Sequence, residues 1–464
     1  MTDTASRVDR PVDVETSRRG LAGIQGVSLA LAIVLFIAMW VPVLVPDWRG
    51  WAQPLLLLVP AALAALVWRV SRTTAVYLSQ TAIYFGLTSW ILGNTVSAVA
   101  VSTVMAWSWA IAAGAFFGSV RPARRRPTAL TAHPAWPHVT LVVSFQAIQA
   151  YLVLTGQSGY AAQLASGMLN PMGMLGALSA ASPVITLVLV FACLATGRMT
   201  GLAIALAITE AGILTASGLR GAGIVFVFAV LIGSLVVLPQ DSPWRRPKRL
   251  LATGLAALVL AGTMFTLAAA VKNQAAEEAG LVSSGSQLVT ADNVVESVTA
   301  RMDLSSYLER GIQYRDVEIA LDAISLDDQA RAAIPRFLWP EKPQVDYGHR
   351  VASVFFGATS DRTSSTITTV GDTILNLGAF MPLAAMAFGA AFCLLERMVR
   401  GGGSGFTYVV AAVLAYNLVG QEPPLISLLI DALRDLLVVA SIWLVCDVIA
   451  RPRRRRQVIG DVTG

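Results

Sequence analysis

Charge is what this sequence has least of. Of its 464 residues only 13% are Asp, Glu, Lys or Arg, 55% are hydrophobic, and the mean hydropathy is +0.65. A soluble domain carries about 25% charged and about 45–50% apolar residues. The shortage therefore excludes a soluble globular enzyme, a disordered tail protein and a nucleic-acid binder. Cysteine is scarce as well. Cys193, Cys393 and Cys446 sit singly in apolar runs with no CxxC spacing. That excludes a secreted disulfide framework, gives no metal site, and leaves them as small apolar core residues. Alternation of apolar and polar residues is missing too, which excludes a closed barrel.

What is present is long apolar runs. A hydrocarbon core about 30 Å thick needs about 20 apolar residues per helix. Twelve candidate spans lie near 23–45, 53–68, 73–93, 97–119, 138–155, 178–196, 201–218, 222–239, 250–271, 370–396, 406–421 and 425–449. The expected fold class is an all-α polytopic membrane protein of about 12 transmembrane helices. The expected organisation is a cytoplasmic tail (1–22), spans one to nine (23–271), an extracytoplasmic loop (272–369), spans ten to twelve (370–449) and a basic cytoplasmic tail (450–464). The first span runs into Pro46, Asp47 and Trp48 without a small-residue cleavage pattern, so it does not read as a signal peptide.

The net charge of +6 is a matter of placement. With both termini inside, the cytoplasmic segments collect 22 of the 34 basic residues, among them Arg121, Arg124 to Arg126 and Arg453 to Arg456. The short outer loops hold only Arg49 and Arg220. This is the positive-inside pattern, and it places both ends of the chain in the cytoplasm of a plasma membrane.

The one large outer segment, Lys272 to Ile367, holds nine Lys/Arg and 14 Asp/Glu and is net negative. Segments of this length are functional or disordered. Val294, Val295, Val298, Met302, Ile312, Val317, Ile319 and Leu321 fall at helical spacing, which predicts amphipathic helices on the membrane surface or over a cavity. The second half reads Ile334-Pro-Arg-Phe-Leu-Trp-Pro-Glu-Lys-Pro343. Its three prolines stiffen the backbone, holding Arg336 and Lys342 beside Phe337 and Trp339. Stiff cations beside aromatics suit an anionic, ring-bearing substrate; an interfacial anchor with snorkelling cations is the other reading.

The Pro-Arg-Phe-Leu-Trp-Pro-Glu-Lys-Pro stretch resembles the proline-arginine-tryptophan-lysine motif of bacterial oligosaccharide repeat-unit polymerases, the Wzy type of O-antigen and exopolysaccharide polymerase in the O-antigen-ligase-like superfamily. Gly371-Asp-Thr-Ile-Leu-Asn-Leu-Gly378 is similar to that family's entry into the next helix. There the family usually has Gly-Glu and then Asn-Phe-Gly, where this chain has Asp372 and Leu377. Ser217-Gly-Leu-Arg-Gly221 resembles its short Ser-Gly-x-Arg-Gly turn.

The resemblance implies a GT-C-like fold and a metal-independent, cofactor-free glycosyl transfer on the outer face of a bacterial inner membrane. The implied substrate is an undecaprenyl-diphosphate-linked oligosaccharide. Membrane lipid, a flippase and a chain-length regulator are the other implied partners.

In that chemistry a lipid diphosphate leaves and needs preorganised cations. The candidates are Arg220 between two glycines, Arg315, Arg336, Lys342 and Arg350, with Trp339 as a face for a sugar. The acceptor hydroxyl needs a base. His349, Asp316, Glu318 and Asp372 are candidates, and the sequence does not choose among them.

Within the apolar runs lie Glu210, Asp431, Arg434 and Asp435. Intramembrane charges face cavities or partners. The spacing of Asp431 with Arg434 and Asp435 predicts pairing on one helix face. Rival functions are an O-antigen-ligase-like glycan transferase and, in a different class, a flippase or transporter of lipid-linked glycan. A transporter often shows repeated halves, and no internal repeat is visible.

Overall fold

The computed structural model describes residues 49–119, 134–166, 173–238, 247–278, 299, 302–314, 347–357, 366–401, 405–418 and 421–462. Among them every regular element is a helix. Eleven of the twelve apolar runs are helical; the first, 23–45, lies outside the described residues. The helices are α1 (Arg49–Val67), α2 (Arg72–Thr81), α3 (Thr88–Leu92), α4 (Ala98–Ser119), α5 (Trp136–Leu154), α6 (Tyr160–Ser166), α7 (Gly173–Thr196) and α8 (Thr200–Ala216). They continue with α9 (Arg220–Val237), α10 (Pro247–Glu278), α11 (Ser305–Gln313), α12 (Tyr347–Phe356), α13 (Thr368–Leu377), α14 (Met381–Gly401), α15 (Gly405–Val413) and α16 (Leu425–Val462).

Five stretches are long and apolar enough to cross a membrane: Ala98–Ser119, Trp136–Leu154, Leu178–Thr196, Ala252–Glu278 and Thr368–Arg400. Their flanks carry large apolar side chains that nothing covers, such as Leu154 at 83% and Phe117 at 74% exposure. Apolar flanks of this kind are tolerated against lipid, not water. The chain is a helical membrane protein.

Packing starts from small residues. Without a hydrophobic drive between helices in lipid, close backbone approach supplies the attraction. The α4–α14 pair does this with glycines on both sides. A Cβ on Gly114 would overlap the Met386 carbonyl, and one on Gly389 would overlap the Ile111 carbonyl. Beside this seam the rings of Tyr77, Trp107, Phe388 and Phe392 are stacked and tilted on one another. Phe388 and Phe392 are 4.4 Å apart, and Trp107 Nε1 donates to the Tyr77 hydroxyl at 3.3 Å.

Three details of the helices go beyond the apolar runs. Helix α10 continues seven residues beyond the apolar run, to Glu278, because Lys272-Asn-Gln-Ala-Ala-Glu-Glu278 is mostly good helix former and Gln274 donates to Glu278 one turn on, at 3.0 Å. The segment after the apolar run therefore begins as a continuation of α10. Helix α16 likewise runs through the basic tail to Val462. Two apolar runs are interrupted by π segments, Ala82–Leu87 after α2 and Leu414–Leu418 after α15.

The bundle has two distinct ends. One, here the loop end, gathers residues 93–97, 155–160, 217–219, 302–314, 347–357, 366–377 and 421–424. The other, the basic end, holds Arg69, Arg72, Arg198, Arg397 and Arg400.

Candidate functional site

The loop end is built on the first π segment. A π turn leaves backbone groups without their helical partners, and such turns are frequent at functional sites. Tyr84 offers its carbonyl to the Leu304 N–H at 3.0 Å, which fixes the start of α11. Asp303 accepts from Asn94 Nδ2 at 2.7 Å and from the Ser305 N–H at 3.1 Å. Glu309 accepts from the Ser97 N–H. Three groups on the α3–α4 edge thus hold one short helix.

A second set of bonds stitches the start of α13 to the Gln421–Pro424 turn. The Thr369 N–H donates to the Gln421 carbonyl at 2.9 Å, and its hydroxyl to the Pro423 carbonyl at 2.6 Å. Gln421 reaches back through Nε2 to the Tyr77 carbonyl and the Thr81 hydroxyl, both at 2.8 Å. Thr368 holds φ at 71°, a costly value for a β-branched residue. It is kept there by the Thr366 hydroxyl, which accepts the Thr368 N–H at 3.2 Å, and by its own hydroxyl, which accepts the Gly371 N–H at 3.0 Å.

Asp372 belongs to this stitching. It is 1% exposed; one oxygen accepts Asn376 Nδ2 at 3.0 Å and the other accepts the Leu425 N–H at 3.1 Å. The Asp-x-x-x-Asn spacing of the Gly371–Gly378 motif is thereby explained: the pair caps the first turn of α16 from the neighbouring helix.

Beside it lies the Ser217–Gly221 turn. Gly218 takes φ of 72°, which lets α8 end and α9 begin within three residues. The Ser217 carbonyl accepts the Tyr160 N–H at 2.8 Å, so the segment after α5 is pinned to this turn. Lys272, on α10, runs alongside and sets its ammonium 4.5 Å over the Tyr160 ring. Arg220 is the first residue of α9, and Leu219 before it provides no side-chain cap. The turn thus brings the N-terminus of α9 beside Lys272 of α10, a combination that suits an anion.

From that turn toward the basic end, α7, α8, α9 and α10 line a partly open apolar groove of about 380 Å³, with residues such as Ile208, Phe226, Val230, Ala257 and Leu260 along it. Its walls can hold a hydrocarbon chain.

The charges within the apolar runs converge in part. Arg434 Nη1 meets Asp431 at 2.8 Å and Nη2 meets Asp435 at 3.0 Å, as the spacing predicts. Asp435 also accepts from Asn417 Nδ2, in the second π segment, at 2.8 Å. Asp431 and Arg434 are near half exposed, at 45% and 48%, while Asp435 is buried. A half-exposed ion pair inside an apolar run faces a polar cavity or the headgroup layer rather than lipid tails. Glu210 is fully buried and accepts from Ser182 at 2.8 Å and Thr186 at 3.2 Å.

Neither models of known protein families, nor curated proteins, nor solved structures match this chain.

Of the sequence candidates, Asp372 and Arg350 are described with side chains. Arg350 is half-buried on α12, which packs on α11 through Tyr307 and Phe356, 5.3 Å apart. Arg220 and His349 are placed on α9 and α12 by backbone, and their side chains lie outside the described set. Arg315, Asp316, Glu318, Arg336, Trp339 and Lys342 lie outside the described residues. Lys272, Asn417, Gln421 and Tyr160 were not among the sequence candidates. An aromatic or amide signals its role only once its partner's place is known. Among the described residues no three His, Cys, Asp or Glu gather where they could hold a metal.

Proposed function

We propose that this protein polymerises oligosaccharide repeat units carried on undecaprenyl diphosphate, by metal-independent glycosyl transfer on the outer face of a bacterial plasma membrane. In this reading the chain crosses the membrane about twelve times in a GT-C-like layout. Both termini are cytoplasmic and the loop end faces outward. The observation that carries the reading is the Ser217–Gly221 turn. It sets Arg220 at the N-terminus of α9 and lies against α10 at Lys272, and the helices leading away from it line a partly open apolar groove. That arrangement fits a diphosphate at the head and a prenyl chain below. The leaving diphosphate is stabilised there as the glycosidic bond breaks. The base that takes the acceptor's proton is one of His349, Asp316 and Glu318. Asp372 is the weakest of the four candidates, since both its oxygens already accept hydrogen bonds. Arg336, Arg315, Lys342, Arg350 and Trp339 contribute to the glycan and diphosphate contacts.

The test is polymer length in cells that depend on this protein. Arg220→Ala and Arg336→Ala are expected to reach the membrane at normal levels and to cut polymer ladders at least about tenfold. A bond to a charged group is worth about 1.5–3 kcal/mol, and 1.4 kcal/mol is tenfold. Arg220→Lys is expected to be impaired too, because an ammonium lacks the planar fork. Normal ladders from both alanine variants would sink the proposal. Purified protein that lengthens lipid-linked repeats without another acceptor separates it from a ligase-like transferase; a transporter would move substrate without lengthening it.

A further inference from the structure

The proposed transfer leaves Glu210 unused, and its surroundings are specific. It sits on α8 six residues before the helix ends at the loop end, about 9 Å along the axis at 1.5 Å per residue. Its side chain is fully buried. Four neutral side chains from two other helices face the carboxylate: Gln146 and Gln149 of α5, Ser182 and Thr186 of α7. Pro183, between the last two, removes a backbone bond from α7 at that level. Gln146 is itself held, donating to the Leu206 carbonyl at 2.8 Å and to Thr186 at 3.3 Å.

Among the described residues no cation pairs with Glu210. Tyr416, in the second π segment, lies close enough to feel both Glu210 and Asp435. Beyond it stand Asp435, Arg434 and Asp431 of α16, where the single arginine is shared by two carboxylates. A buried carboxylate costs several kcal/mol without a cation. Glu210 Oε1 and Gln149 Oε1, on side chains that are 0% and 5% exposed, meet no donor in good hydrogen-bonding geometry, although the Gln146 and Gln149 amides lie close to the carboxylate.

We propose that Glu210, Gln149, Ser182 and Thr186 bind a small monovalent metal cation inside the bundle, with Na⁺ as the probe. The ligands are hard oxygens: the Glu210 carboxylate, the Gln149 amide oxygen and two hydroxyls. One carboxylate among neutral oxygens balances one positive charge, which favours a monovalent ion over a divalent one. The cation supplies the charge that the helices do not, and gives both open acceptors a partner. Na⁺ coordinated near the bilayer midplane by oxygens from several helices is a known device in membrane proteins. The ion would tie α5, α7 and α8 together beside the helices that carry the Ser217–Gly221 turn.

The experiment uses the full-length protein in lipid nanodiscs. Equilibrium binding of radiolabelled Na⁺ is measured with Li⁺ and K⁺ as competitors, alongside the melting temperature in Na⁺ and in choline. The expected result is saturable Na⁺ binding, a higher melting temperature in Na⁺, and at least tenfold weaker binding in Glu210→Gln and in Gln149→Leu. Glu210→Gln keeps the shape and the hydroxyl partners, so its melting temperature in choline should match or exceed that of the native protein, which shows that it folds. Absence of saturable binding for all three ions, or binding that survives in Glu210→Gln, overturns the proposal. A pH-dependent melting temperature that no alkali cation alters also overturns it, because the carboxyl is then balanced by a proton.

Discussion

Glu396 shows how much one side chain can hold in this protein. It lies at the basic end, 1% exposed, and accepts from the Ser71 hydroxyl at 2.7 Å, the Arg72 N–H at 3.1 Å and the Thr73 N–H at 3.0 Å. Arg400 pairs with it one turn along α14. A carboxylate from a distant helix thus caps the N-terminus of α2, where the helix dipole favours negative charge. Ser71 completes the cap by accepting the Thr74 N–H at 3.2 Å. Arg72 feels the same crowd: burial lowers its pKa from the ordinary value, Arg400 adds to that, and Glu396 opposes it. Glu396→Ala should therefore destabilise the protein by about 2–6 kcal/mol, since the part-buried Arg72 N–H and the buried Thr73 N–H lose their acceptor at about 1–3 each. Ser71→Ala should cost about 1 kcal/mol. Chemical unfolding of the purified protein in detergent measures both, and equal effects would refute the account. The sequence offered no hint of this role. Glu396 stands next to Arg397 and near Arg400, so it reads as part of a solvated charge run, and only the fold brings residue 396 to residue 71.

Among the elements, the α4–α14 seam is the sharpest dependence. Both helices were legible as apolar runs, because hydropathy alone marks a span. Their pairing was not, since glycines mark helix contacts in general but nothing in the run says which glycine meets which helix. The structure separates the two kinds. A Cβ on Gly389 would meet the Ile111 backbone, whereas a Cβ on Gly262 of α10 would find nothing within 4 Å. Gly389→Leu should force the helices apart and lower stability by about 1–3 kcal/mol or more, while Gly262→Leu should be nearly neutral. Comparing the melting temperatures of the two variants in the same detergent checks this; a loss of similar size in both would mean that leucine is disfavoured for another reason. The π segments lay beyond sequence reading for a related reason. Ala82–Leu87 is apolar and unbroken by proline or glycine pairs, and its register change is set by what sits against it, the Leu304 N–H at the Tyr84 carbonyl. Likewise Asp372 stood out as an acid in a motif, but its engagement with Leu425, 53 positions later, is a tertiary fact.

For the whole molecule, everything functional in the proposal depends on which end faces out. The positive-inside count sends the basic end to the cytoplasm, and the structure supplies residues at which to ask. All three native cysteines are buried, so they interfere little with a probe introduced elsewhere. Gln313 is exposed at the end of α11, among the elements of the loop end, and Arg198 is exposed in the turn between α7 and α8, at the opposite end. In intact spheroplasts a membrane-impermeant maleimide should label Gln313→Cys and leave Arg198→Cys unmodified until the membrane is opened by detergent. The opposite pattern would put the Ser217–Gly221 turn, α11 and the Asp372 stitching in the cytoplasm. It would remove a lipid-linked substrate on the outer face, and the polymerase reading with it, whatever the arginine variants did. It would leave intact the Glu210 pocket, which lies within the bundle and does not depend on orientation. The labelling experiment therefore tests the function without bearing on the cation site.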